Sequence, residues 1–118
     1  MAYVDGFIVA VPKAKVQDYT DLSRRMGAIW KEHGALDYVE AVADDVPYGE
    51  VTSFPRAVQQ KEDETVVFAW ITYDSRAKRD EVNGKVMSDP RLKDFDMSSA
   101  PFDGKRMIFG GFEVLLKL

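Results

Sequence analysis

The stretch "TVVFAWITY", Thr65–Tyr73, decides how this chain is read. Its density of β-branched and aromatic residues marks a strand. A strand with one wet face alternates apolar and polar residues, and this one does not. Val66, Phe68 and Trp70 point one way while Val67, Ile71 and Tyr73 point the other, so both faces need cover.

The same doubling recurs on either side. Residues 2–11 read as a strand in which Tyr3, Phe7, Val9 and Val11 oppose Val4, Ile8 and Ala10. It stops at Pro12, which has no amide hydrogen for a ladder. Arg106–Lys117 reads as a last strand, with Met107, Phe109 and Leu115 opposite Ile108, Phe112, Val114 and Leu116. Its Gly110-Gly111 pair marks a bulge or a close backbone approach. Residues 35–43, "ALDYVEAVA", form a weaker strand.

Helices fill the gaps. From about Lys13 to His33, the positions Val16, Tyr19, Leu22, Met26, Ile29 and His33 follow three- and four-residue steps and share one face. Gly34 is the left-handed stop. Ser75 caps a second helix from about Arg76 to Met87, with Val82 and Val86 on one side. Asp89-Pro90 opens a short helix through Phe95.

This order over residues 1–118 predicts one α+β domain of ferredoxin-like βαββαβ type, a four-stranded antiparallel sheet with two main helices on one face. Two helices leave the other face bare. Each large apolar side chain left in water forgoes roughly 1.5–3 kcal/mol, and about ten of them amount to the whole stability of a domain. A second copy laid sheet against sheet about a two-fold axis is the simplest cover, so the open face predicts a homodimer. The chain's own 43–64 loop is the alternative cover.

Composition narrows the function classes. The 118 residues carry a net charge of −4, with no cysteine and one histidine. A net negative charge argues against a nucleic-acid binder, which usually needs a basic stripe to neutralise phosphates. Disulfides, thiolate metal sites and cysteine nucleophiles are excluded, and a lone histidine argues against a zinc site. The start of the chain lacks a signal peptide's features, and the apolar runs "FIVAV" and "VVFAWI" are far shorter than a membrane span. The expectation is a cytoplasmic protein with no cofactor, no metal, no nucleic acid and no membrane partner.

The blocks "MAYVDGFIVAVPK", "WKEHGAL", "DDVPYGEVTSFPRAV", "ETVVFAWI", "VMSDPR" and "PFDGKRMIFGGFEVL" span nearly the whole chain. Together they resemble the YbaA-like bacterial family, a domain-of-unknown-function family. The resemblance implies the dimeric α/β barrel superfamily, which includes cofactor-independent monooxygenases, heme-degrading enzymes, lactone isomerases and ligand-sensing domains. Heme-degrading members use an asparagine on the first strand and a histidine on the second helix. Here Asp5 holds the first strand and residues 75–95 contain no histidine, so those roles do not carry over.

The residues with chemistry to offer are few. His33 ends the apolar stripe at the negative end of a helix dipole, where it can shuttle protons or simply bond to nearby groups. Tyr38 and Glu40 project from one side of the second strand, and in an apolar chamber they would supply a proton donor and an acceptor. These three are the catalytic candidates. Asp44 and Asp45 read as turn residues before Val46-Pro47. The 43–64 segment is too long for a plain hairpin. Within it Ser53-Phe54-Pro55 starts a helical turn, Arg56 anchors it, and Tyr48 and Phe54 either cover a chamber mouth or brace a dimer. Trp70 reads as chamber wall or core, and Arg106 as a holder of an anionic ligand or a solvated strand end. The ligand-binding candidates are thus Tyr48, Phe54, Arg56, Trp70 and Arg106. The functional expectation is a homodimer holding a small organic molecule, with oxygenase- or isomerase-like chemistry. The alternative is a non-catalytic ligand-binding or stress-related dimer whose core is filled by its own side chains.

Overall fold

A computed structural model describes residues 2–118. Four strands, β1 (Tyr3–Pro12), β2 (Asp37–Val42), β3 (Glu64–Tyr73) and β4 (Ile108–Glu113), form one sheet in the order β2-β3-β1-β4. All three pairings are antiparallel. The helices are α1 (Val16–Glu32), α2 (Phe54–Ala57), α3 (Arg76–Met87) and α4 (Pro90–Lys93). This is the ferredoxin-like α+β arrangement expected from the strand and helix order.

Register assigns the faces. Tyr3 lies opposite Tyr73, Asp5 opposite Ile71, and Val9 opposite Val67. These side chains point to α1 and α3, where Tyr73, Val82 and Val86 are fully buried. Each buried valine contributes roughly 1.5–3 kcal/mol to holding α3 on the sheet. Inside α1, Gly27 permits close approach to β2, because a Cβ there would sit 2.6 Å from the Tyr38 ring. His33 ends α1 with its amide on the Ile29 carbonyl, and Gly34 follows at φ 120°, a backbone region glycine occupies freely.

Several boundaries differ from expectation: β1 runs through Pro12, β2 is shorter than 35–43, and β4 starts at Ile108 rather than Arg106. The Lys13 amide bonds to the Asp63 carbonyl at 2.8 Å, and the chain makes a 3-10 turn over Lys13–Lys15 before α1 begins. The short helix after Asp89 stops at Lys93 rather than Phe95. β4 ends at Glu113 instead of Lys117, since β1 begins at Tyr3 and the Val114 amide reaches Ala2 as its last partner. Beyond that point Leu115, Leu116 and Leu118 are exposed. The two glycines of β4 make no bulge: Gly110 faces Gly6 and Gly111 faces Asp5 in continuous register. Gly111 is instead a close approach, because a Cβ there would lie 2.6 Å from Arg79 Nη2.

The second face is covered at one end only. The segment around α2 brings Val58 onto Ala10 and Val66, and all three are buried. Phe54 packs edge-on against Phe68 at 5.9 Å, and Phe68 in turn against Trp70 at 5.4 Å. Cover stops there. Phe68 remains 44% exposed, Ile108 42% and Phe112 61%.

Candidate functional site

Between α1 and the helix-facing side of the sheet lies a cavity of about 190 Å³. Its floor comes from β1, β2 and β3, where alternation places Phe7, Tyr38, Glu40 and Ile71 on one side. Its roof is the buried stripe of α1, including Tyr19, Met26 and Trp30. The remaining wall is the chain from Leu92 to Met107, which contributes Phe95, Met97 and Phe102. Almost all of this surface is carbon. Among the described residues no lysine or arginine lines it.

The polar side chains in the lining are Tyr19, Ser23, Tyr38 and Glu40. The Tyr19 hydroxyl donates to Glu40 Oε1 at 2.6 Å, and the Tyr38 hydroxyl stands 3.5 Å from Oε2. Burial pushes both phenols well above the ordinary tyrosine range, and the neighbouring Glu40 charge pushes them further. Both therefore stay protonated at neutral pH and act as donors. Tyr19 comes from α1 and Glu40 from β2, so the two meet only because α1 packs down on that edge of the sheet. A buried tyrosine hydroxyl needs a partner, and the periodicity that buries Tyr19 carries that demand. That was the one signal by which Tyr19 was legible beforehand.

Tyr38 and Glu40, the paired candidates on β2, thus share one cavity wall. His33 stands elsewhere. At the C-terminal end of α1 its Nε2 lies 2.9 Å from Asp89 Oδ2, and it is not among the cavity-lining residues. Asp89 also caps α4 through the Arg91 amide and bonds the Arg91 guanidinium, which reaches Glu32 at 2.6 Å. Arg91, and after it His33, holds the Asp89 carboxyl well below the usual carboxylate range. This cluster ties the end of α1 to α4.

The other candidates are spread over the molecule. Arg56 donates to the carbonyls of Tyr48 and Gly49 at 3.0 Å each, and its guanidinium lies 3.9 Å from the Tyr48 ring centroid. The pair braces the loop before α2. Phe54 sits on the open face, whose strand residues include Trp70; Trp70 also touches the cavity wall. Arg106 is spent on structure: it pairs with Glu64 at 2.6 Å, with Asp103 at 3.0 Å, and donates to the Gln59 carbonyl at 2.9 Å. Asp5 is buried under α3 and paired with Arg79 at 3.0 Å. Among the described residues no group of histidines and carboxylates is arranged to hold a metal ion, and no helix is long and apolar enough to cross a membrane.

Known proteins share this architecture. The chain is 53% identical over 116 residues to the uncharacterised protein YbaA of Escherichia coli K12, covering 98% of each chain, and equally so to YbaA of Shigella flexneri. Among solved structures, a NIPSNAP family protein from Agrobacterium tumefaciens superposes with a TM-score of 0.60 at 21% identity, over 96% of this chain and 92% of that one. A dimeric ferredoxin-like protein from an uncultured marine organism gives 0.61 at 13% identity, over the full length of both chains. At those identities the likeness establishes the fold alone. The model of the DUF1428 family of proteins of unknown function matches residues 2–104, and with the identity to YbaA it follows that this chain belongs to the DUF1428 family.

Proposed function

We propose that this protein is a cytoplasmic homodimer that holds a small organic molecule beneath α1, with Glu40 as the proton acceptor of the site. The observation that carries the reading is a carboxylate bonded by Tyr19 and standing beside the Tyr38 hydroxyl in a cavity whose only other polar lining residue, among those described, is Ser23. An apolar pocket with a few convergent polar groups is the usual form of a small-molecule site. Glu40 takes a proton from an acidic position on the bound molecule. Tyr19 and Tyr38, held protonated by burial, donate to the carboxylate or to an oxygen that gains charge as the proton leaves. Proton removal at one atom and return at another is isomerisation, and it requires no cofactor. His33, engaged with Asp89, is assigned no step.

The dimer rests on the open face. Phe68, Ile108 and Phe112 leave an apolar surface that a second copy covers about a two-fold axis. The similar fold described as a dimeric ferredoxin-like protein supports the same assembly.

Native mass spectrometry of freshly purified protein tests both parts. The expected result is a dimer carrying a reproducible small-molecule adduct that Glu40→Gln diminishes. A monomer removes the assembly. Absence of an adduct, together with no ligand-induced rise in melting temperature across a metabolite panel, removes the binding role. Retained binding in Glu40→Gln without turnover in either protein leaves the non-catalytic, ligand-binding alternative.

A further inference from the structure

Resting on the chamber reading above, we infer that the molecule held beneath α1 is a neutral aromatic of one or two fused rings bearing a hydroxyl that donates to Glu40 Oε2. Size sets the first limit. A cavity of about 150 Å³ takes up benzene, so the ~190 Å³ here admits one ring with substituents or two fused rings.

The walls set the shape. The Trp30 and Tyr38 rings lie 6.1 Å apart and tilted, and Tyr19 meets Phe102 edge-on at 5.7 Å. Met26, Met97 and Met107 supply polarisable sulfurs, which favour ring edges. Such walls recognise a flat π-system.

Charge sets the polar group. Among the described residues no cation lines the cavity, so a bound carboxylate or phosphate would face Glu40 with nothing to balance it. An ammonium carries three donors and a strongly held hydration shell, and the carbon walls replace little of that shell. A hydroxyl asks for a single acceptor. Oε1 is already occupied by Tyr19 at 2.6 Å, whereas among the described residues the one hydrogen-bond partner of Oε2 is the Tyr38 hydroxyl at 3.5 Å, at the outer limit of a hydrogen bond. Oε2 therefore retains a free acceptor position, and an aromatic hydroxyl is a strong enough donor to fill it. Trp30 offers no competing donor, because its indole N–H is engaged with Asn83 Oδ1 at 3.2 Å.

Isothermal titration of the wild-type protein with 2-naphthol, naphthalene, 2-naphthoate and 2-naphthylmethylammonium tests the class. The expected result is one 2-naphthol per chain, bound at least tenfold more tightly than the other three. Glu40→Gln is expected to erase that margin over naphthalene without abolishing naphthalene binding. Equal binding of naphthol and naphthalene overturns the hydroxyl assignment while leaving the cavity as a binding site. Tighter binding of the ammonium or the naphthoate overturns the neutral class in favour of a cation or an anion. No binding of any probe removes the chamber reading and this inference with it. If Glu40→Gln does not fold, the wild-type ranking decides alone.

Discussion

The two faces of the sheet are built from the same kinds of residue and differ in how they treat polar groups. The helix-covered face is interrupted by polar side chains, each with a partner from a distant part of the chain: Asp5 with Arg79 and Glu40 with Tyr19, beneath helices themselves joined by Trp30 and Asn83. The open face carries Val4, Ile8, Phe68, Trp70, Ile108 and Phe112, and its own loop covers one end only. A polar group is tolerated in a core only when a partner is built in, and that requires a packed helix layer to deliver one. The polar groups of the open face lie at its covered end, where Glu64 pairs with Arg106, and at the β2 edge, where Thr72 bonds Asp37. The apolar stretch between them has nothing to satisfy and suits a second copy of the chain. The difference separates the proposed site from the proposed interface.

The largest effect is expected where the open face is broken. Ile108→Glu with Phe112→Glu changes residues that are exposed in the protomer, so folding is little altered, but it places unpaired charge in the proposed interface. A loss of about 4 kcal/mol or more, roughly a thousandfold in dissociation constant, is expected. Sedimentation velocity then gives a monomer at concentrations where the parent is a dimer. An unchanged sedimentation coefficient would remove the open face from the assembly.

Next comes the tie that holds the loop over the covered end. Arg106→Ala leaves Glu64 buried without its cation and frees the Val58 and Gln59 carbonyls. A loss of about 3 kcal/mol is expected in chemical denaturation, near the low end for a broken buried pair. Arg106 holds the Glu64 carboxyl below its ordinary value. The pair's contribution is therefore complete above the unfolded value near pH 4.3 and falls away as pH drops through the lowered one. The stability gap between wild type and variant should narrow in acid and stay constant from pH 6 to 8.

A sharper probe of the covered face is Gly27→Ala. The added methyl gains about 1 kcal/mol of helix propensity, but it meets the Tyr38 ring at 2.6 Å and forces that ring aside. A net loss of about 1–2 kcal/mol is expected, together with weakened cavity binding measured by titration. Intact binding would mean that Tyr38 does not set the cavity's shape.

The smallest effect is expected for His33→Ala. It removes the bond to Asp89 and loosens α1 from α4, so a slight fall in melting temperature is expected while cavity ligands bind as before. Lost binding at an unchanged melting temperature would return His33 to the site.

Much of the fold was legible in advance. α3 begins at Arg76 under the Ser75 cap, whose Oγ accepts the Lys78 amide, as the residue pattern required. β3 matches its expected span but for Glu64. Both depend on neighbours a few residues away, and local patterns record such neighbours. β4 ran short because its length depends on where β1 begins, more than a hundred positions earlier in the chain. Tyr38 and Glu40 were legible as a pair because they are two residues apart on one strand, whereas Tyr19 joins them across 21 positions.

Periodicity, caps and alternation, all short-range physics, were enough to settle the element order, the two apolar faces of the sheet and the shared direction of Tyr38 and Glu40. Packing alone could settle which helix descends on which strand. That step brought Tyr19 onto Glu40 and set a pair of strand residues in a cavity wall. It also gave His33 to Asp89 and Arg106 to Glu64, partners that no local pattern names. The reason is that such partners lie far apart along the chain, and only the folded surface decides which of them meet.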